Sequence, residues 1–223
     1  MTAWEVFEMD GAFSIGAAFV LSAAAGYLLG SISFAVVVSR LMYHQDIRDY
    51  GSGNAGMTNI LRTYGKKAAA ITLAGDFCKG ALAVVLGRVI FWLFGVDFMD
   101  GAYVAGMFAL LGHLFPVYFG FKGGKGILTS VGVIFLINPL VGLLLLAVGL
   151  PLIFLTRIVS VGSIAGAVCY PVFTWLTVYL KGENPLFDTV FASIIALLVL
   201  YMHRENIRRL MNGTENKFGG KKK

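Results

Sequence analysis

Charge is scarce in this sequence. Asp, Glu, Lys and Arg make up 13% of the 223 residues, against an apolar share of 58%, and mean hydropathy is +0.80. The length alone would allow one or two soluble domains, but a soluble chain of this size cannot cover its surface with so few charges. Cysteine is nearly absent. Cys78 and Cys169 fall inside apolar runs, at neither a metal spacing nor a disulfide framework, and read as small buried hydrophobes. Histidine occurs three times, and no two-His or His/Asp set points to a metal. There is no glycine–serine nucleophile elbow and no fixed-period repeat.

What is present is a series of long apolar runs separated by polar islands. No charge occurs between Asp10 and Arg40, enough to span a hydrocarbon core of about 30 Å. This run is too long for a signal-peptide core and no small-residue cleavage site follows it, so it is expected to be a retained span. Residues 68–94 form a second run, interrupted by Asp76, Lys79 and Arg88. Asp76 and Lys79 lie one helical turn apart and can pair, either as a functional group or as a structural pair facing the bundle. A third run fills the gap between Asp100 and Lys122 and contains His113, read as structural. Residues 126–156 carry no charge, and at about 1.5 Å per residue one helix of that length would overshoot the membrane. Asn138-Pro139 is a turn signal near the middle, which divides this stretch into a short fourth span and a fifth. Residues 158–180 give a sixth, and Leu186–Met202 a shorter seventh.

The basic residues support this count. With the N-terminus outside and seven crossings, Arg40, Arg48, Arg62, Lys66, Lys67, Lys122, Lys125, Arg157 and all bases from Arg204 onward fall inside. Outside, Lys181 is the single base among Glu5, Glu8, Asp10, Asp97, Asp100, Glu183 and Asp188. That asymmetry follows the positive-inside rule, whereas six spans would put the basic tail on the acidic side. The expected fold is an all-α integral membrane protein with seven transmembrane helices in one domain, residues 1–203. Its cytoplasmic loops are 39–67, 120–126 and 156–161, followed by a basic tail, 204–223, lying against anionic headgroups.

Three polar clusters then share the cytoplasmic face. The first reads DIRDYGSGNAGMTNILR. Its GSGNAG matches the dinucleotide glycine fingerprint, but a membrane helix precedes it in place of a strand, which excludes that reading. His44 and Asp49 have the HX4D spacing of an acyltransferase class whose further blocks are missing. What remains is an anion nest: the backbone amides of Gly51 and Gly53 with Ser52, Asn54, Thr58 and Asn59, flanked by Arg48 and Arg62 for bidentate phosphate contacts. The second cluster, Lys122, Gly123, Gly124, Lys125 and Gly126, leads directly into an apolar helix, whose N-terminus favours a phosphate. In the third, HRENIRR, His203 and Asn206 are three residues apart and share a helix face, and the histidine can act as acid or base. Ser160 and Ser163, just past Arg157, can add a hydroxyl. A solvated loop or a plain basic turn is the competing account of each cluster taken alone.

GSGNAGMTNILR, GHLFPVYFGFKGGKG, TRIVSVGS and HRENIRR, in this order and spacing, together with GSIS at residues 30–33 and DFCKG at 76–80, closely resemble the bacterial acyl-phosphate:glycerol-3-phosphate acyltransferases, the PlsY family. The resemblance covers nearly the whole chain. It implies a seven-helix enzyme of the bacterial inner membrane that works at the cytoplasmic face. Such an enzyme moves an acyl chain from acyl-phosphate to the 1-hydroxyl of glycerol 3-phosphate, giving lysophosphatidic acid and phosphate for phospholipid synthesis. Neither acyl-CoA nor acyl carrier protein is the direct donor. The resemblance makes Ser52, Arg62, His203 and Asn206 active-site residues with Arg48 nearby, gives substrate phosphate to the second cluster, and leaves Glu205 structural. Ser33 stands where the family has proline in GSIPF, and Met57 where alanine is common. The implied partners are the two substrates and the bilayer, without cofactor, metal or nucleic acid, and with a monomer as the working expectation. A transporter of a phosphorylated metabolite or lipid is the competing reading, although such proteins place polar groups near the midplane and show paired halves.

Overall fold

Apolar runs in lipid must satisfy their backbone internally, which leaves helix as the form available to them. A computed structural model describes residues 3–218, with side chains from residue 11. The acidic side chains of Glu5, Glu8 and Asp10 and the terminal Lys221, Lys222 and Lys223 lie outside the described residues. Among those described there are ten α-helices: α1 (Ala3–Gly30), α2 (Phe34–Tyr43), α3 (Met57–Tyr64), α4 (Lys66–Leu93), α5 (Ala102–Leu114), α6 (Ile127–Ile137), α7 (Pro139–Thr156), α8 (Val159–Tyr179), α9 (Leu186–Met202) and α10 (Arg204–Met211).

Five segments are long and apolar enough to cross a membrane: α1 with α2, α4, α5 with the turn after it, α7 and α8; α9 with α10, bent by 59°, makes a sixth. The division of residues 126–156 is found where the turn signal placed it. Asn138 separates α6 from α7, its Oδ1 accepting from Val141 N at 3.3 Å, and Pro139 occupies the first position of α7. The fourth expected span is short, as the turn signal implies. At 11 residues, α6 extends about 16 Å, half of a hydrocarbon core of about 30 Å. The length test therefore supports five or six crossings, and a seventh depends on α6.

Sidedness is inverted relative to a soluble protein. Large apolar side chains face outward, with Leu155 82% and Trp92 76% exposed, while Ser22, Thr72, Asp76, Lys79 and His113 are buried between helices. Small residues let the helices approach closely. A Cβ built on Gly30 would sit 2.0 Å from the Ala109 carbonyl oxygen of α5, and one on Gly112 2.2 Å from that of Tyr27 in α1. The chain breaks after Gly30 without a proline. Ser33 caps α2 in an extended conformation (φ −81°) and its carbonyl accepts from Val37 N at 2.9 Å.

Gly30→Ala is therefore expected to destabilise the bundle by about 1–3 kcal/mol through overpacking, seen as a lowered thermal midpoint in detergent. Gly16→Ala, where an added Cβ meets nothing within 4 Å, should leave the midpoint unchanged. Equal behaviour of the two would refute the close α1–α5 contact.

Candidate active site

The first polar island begins where α2 ends. His44 takes a left-handed backbone (φ 54°), and its N–H bonds back to the Arg40 carbonyl at 3.1 Å, turning the chain out of the helix. Asp46 caps the short 3-10 turn Ile47–Asp49 by accepting from the Arg48 N–H at 3.0 Å. The same carboxylate takes the Arg48 guanidinium at 3.0 and 2.8 Å. Arg48, helped by Arg40, holds it well below the usual carboxylate range. Arg48 also donates to the Phe119 carbonyl at 2.6 Å, beside the second loop. Expected at a substrate phosphate, Arg48 is a strut between two loops.

Gly51 and Gly53 have φ of 60° and 68°, a region that glycine reaches without a Cβ penalty. The loop they shape closes around Asn59 of α3, which is 1% exposed. Asn59 Oδ1 accepts from Ser52 N at 3.0 Å. Its Nδ2 donates towards the carbonyls of Ile47, Tyr50 and Asn54 at 3.2, 2.9 and 3.1 Å. The Asn59 amide is thus spent on the loop, as a clamp and not as a ligand. Ser52 is left exposed on top, and Thr58 and Asn54 are half-buried beside it. One turn after Thr58, Arg62 reaches the Asn216 carbonyl at 3.4 Å.

In the second loop the glycines answer to crowding. A Cβ on Gly123 would fall 2.0 Å from the His113 carbonyl oxygen, and one on Gly124 would fall 2.3 Å from His113 Nε2 and 2.6 Å from the Ala55 carbonyl oxygen. Gly126 turns the chain with φ 84° and caps α6, whose first N–H groups stand free for an anion. Between them the Lys125 ammonium hydrogen-bonds Asn206 Oδ1, so the second and third clusters meet. Lys122 is exposed. Burial lowers the Lys125 pKa to about 8, with the charges of Arg209 and Arg62 acting in the same direction.

His203 ends α9 just past its apolar stretch and is 3% exposed. Its Nδ1 lies 2.8 Å from the Val199 carbonyl oxygen. Donating there fixes the tautomer and leaves Nε2 with a free lone pair. Burial brings its pKa down to about 4, so the ring is neutral around pH 7.

The residue that sequence reasoning missed is Glu215. Its stretch was read as part of a basic tail, yet the chain folds back and buries this carboxylate. Glu215 Oε1 accepts from Asn206 Nδ2 at 2.8 Å and from Ser160 Oγ at 3.1 Å, and Oε2 accepts from Arg209 Nε at 2.6 Å. Burial pushes its pKa up, but these bonds, that from Arg209 above all, hold it below the usual carboxylate range. The available signal was slight, since Glu215 is one of two acids, with Glu205, in the basic tail. Ser160 is therefore engaged with Glu215, while Ser163 donates to Val159 within its own helix at 3.1 Å. His113, expected to be structural, has ionic company: its Nδ1 is 2.9 Å from Lys79 Nζ, which pairs with Asp76 at 2.8 Å.

Behind these polar groups lies an apolar cavity of about 110 Å³ between α6, α7, α8 and α9, lined by Ile127, Gly149, Gly162, Ser163, Gly166 and Val199 among others. Ile127 directly follows the second loop, and Val199 is one turn before His203. Phosphate-sized anion donors, a neutral histidine and an apolar slot are thus neighbours.

The sequence profile of the family "Glycerol-3-phosphate acyltransferase" matches residues 20–213. The chain belongs to that family. The glycerol-3-phosphate acyltransferase of Clostridioides difficile (strain 630) is 41% identical over 204 residues, covering 92% of this chain and 97% of its own. That of Thermoanaerobacter sp. (strain X514) is 45% identical over 202 residues, covering 91% and 96%. A crystal structure of PlsY, described as an integral membrane glycerol 3-phosphate acyltransferase in its glycerol 3-phosphate form, superposes with a TM-score of 0.78. The two are 37% identical over 90% of this chain and 96% of that one. The likeness to the acyltransferase family thus runs through both glycine loops and HRENIRR and includes the membrane fold. Glu215 lies two positions beyond the matched region.

Replacing Asn59 by Leu would leave the Ser52 N–H and neighbouring carbonyls without their partner, at about 1–3 kcal/mol for an unsatisfied buried group. The thermal midpoint of purified protein should fall accordingly; an unchanged midpoint would show that the loop does not depend on this amide.

Proposed function

We propose that the protein transfers an acyl chain from acyl-phosphate to the 1-hydroxyl of glycerol 3-phosphate, releasing lysophosphatidic acid and phosphate at the cytoplasmic face of a bacterial inner membrane. The observation that carries this reading is the meeting of the second and third clusters at Lys125 and Asn206, next to an apolar cavity. An anion site joined to an apolar slot matches a donor with a phosphate head and an acyl tail. A cavity of about 110 Å³ is well below the roughly 300–1,000 Å³ of a drug-sized site. It therefore takes part of the chain, and the remainder lies along the lipid-facing flank. Family membership weighs for an enzyme and against a transporter.

In the step itself, the hydroxyl oxygen attacks the acyl carbonyl carbon and the bond from that carbon to the phosphate oxygen breaks. The leaving phosphate keeps the electron pair. Acyl-phosphate is already activated, so positioning and charge neutralisation supply the catalysis, as much as about 7–11 kcal/mol in favourable cases. Lys122, Lys125 and Arg62 neutralise phosphate charge, and the amides of Gly123, Lys125 and Gly126 add hydrogen bonds, that of Gly124 being spent on the His113 carbonyl. His203 Nε2 accepts a hydrogen bond from the hydroxyl and orients it. With a pKa near 4 the ring is a weaker base than phosphate, whose second pKa is about 6, so the proton passes to phosphate. Ser52 hydrogen-bonds substrate and forms no acyl-enzyme. Arg48, Asn59 and Glu215 hold the ligands in place. One chain suffices, with no cofactor or metal. Seven crossings with the N-terminus outside, α6 being the short one, place all basic clusters on the cytoplasmic side in accord with the positive-inside rule.

Purified protein given acyl-phosphate and glycerol 3-phosphate should yield lysophosphatidic acid; none from the native chain would sink the reading. His203→Ala, which removes the group that orients the hydroxyl, should lower kcat by roughly 10²-fold, and Lys122→Ala should weaken glycerol 3-phosphate binding. Lys125 is charged below its pKa of about 8 and neutral above it, so the KM for glycerol 3-phosphate should rise as pH passes 8. Lys125→Arg should remove that rise, and a KM flat with pH in the native enzyme would refute the role of Lys125.

A further inference from the structure

Beneath the two glycine loops lies a buried ionic cluster that the reaction does not use. The Lys79 side chain is 1% exposed, and that of its partner Asp76 2%. Its ammonium has three donors and three neighbours: Asp76 Oδ1 at 2.8 Å, the Ile32 carbonyl oxygen at 2.7 Å and His113 Nδ1 at 2.9 Å. Asp76 balances the charge, so Nδ1 of His113 accepts, and the ring proton sits on Nε2. The other edge of that ring, at Nε2, is what a Gly124 side chain would strike, and the Ala55 carbonyl oxygen closes the same space from the first loop. The His113 carbonyl in turn accepts from Gly124 N at 3.2 Å. The contact at Ile32 fixes the break between α1 and α2, the helix that leads into the first loop. One side chain thus touches the base of the first loop's helix, while its histidine partner sets the height of the second loop.

We propose that Asp76, Lys79 and His113 form a positioning relay that sets the Lys122–Gly126 loop against the Gly51–Gly56 loop and thereby determines affinity for the phosphate-bearing acceptor. It rests on the acyltransferase reading for its substrate, but its geometry does not. The three residues touch no substrate; they act through backbone, by holding Gly124 between the ring of His113 and the Ala55 carbonyl. An acceptor at the Nδ1 position is the requirement, because without one the ammonium loses a partner and the ring loses its orientation.

The test compares His113→Phe, which keeps a ring but has no acceptor, with His113→Asn, whose Oδ1 occupies the Nδ1 position. Glycerol 3-phosphate is titrated at saturating acyl-phosphate, and trypsin cleavage after Lys122 and Lys125 is followed on the same purified, full-length samples. For His113→Phe, KM is expected to rise about tenfold or more with kcat held within about threefold, the mark of displaced binding groups. Cleavage of the second loop should accelerate alongside it. His113→Asn should restore both readouts to near native. A folded His113→Phe with native KM and native cleavage overturns the relay, as does a fall in kcat with KM unchanged. If His113→Phe does not fold, His113→Gln, which also lacks the Nδ1 acceptor, is judged by the same criteria. Failure of both to fold overturns positioning in favour of plain structural support. Native protein that makes no product while the cleavage pattern follows the variants as expected overturns the activity and leaves the relay standing.

Discussion

A loop made of glycine has no side chains with which to hold its own shape, so its shape must be imposed from outside. That constraint governs both glycine loops here, whose amides are in large part bonded inward: Ser52 N to Asn59, Gly53 N to the Tyr50 carbonyl and Gly124 N to the His113 carbonyl. In the first loop the imposing group is the buried amide of Asn59, bonded to backbone at four points. In the second it is His113, which meets Gly123 and Gly124 with both carbonyl and ring. Each clamp comes from a helix, and α5, which carries His113, meets α1 through contacts that leave no room for an added methyl group. The order of dependence runs from helix packing to clamp, from clamp to loop, and from loop to ligand.

A second layer is electrostatic. Burial depresses the Lys125 pKa, the charges of Arg209 and Arg62 add to that, and the carboxylate of Glu215 opposes it. Its bond to Asn206 Nδ2 turns the amide so that Oδ1 faces Lys125. A cluster of cations thus carries one fixed anion of its own, bonded to Asn206, Ser160 and Arg209. Charge-assisted bonds of this kind are stronger than neutral ones, and more so out of water.

Much of this could be read from the order of residues. Apolar runs gave the spans, Asn138-Pro139 gave the division of the longest one, and the gathering of bases gave three clusters on one face. Residue types without their geometry were less informative. Arg48 and Asn59 look like ligands because an arginine and an amide beside glycines usually serve an anion; only the fold reveals Asp46 and the loop carbonyls that occupy them. Glu215 was hidden because nothing in a one-dimensional pattern brings residue 215 back onto Ser160. His113 looked isolated for the same reason: its partners lie 34 and 37 positions earlier on another helix. The shortness of α6 was legible too, since the turn signal at Asn138-Pro139 leaves it room for 11 residues.

The brevity of α6 has its own consequence. A helix of 11 residues packed against α4 of 28 and α7 of 18 falls short of a hydrocarbon core of about 30 Å, a mismatch a bilayer meets by thinning or by letting polar chain dip below the headgroups. The loop at the start of α6 is then drawn towards the depth of the acyl chains. A water-soluble phosphate ester and a lipid tail come within reach of each other without either leaving its own phase.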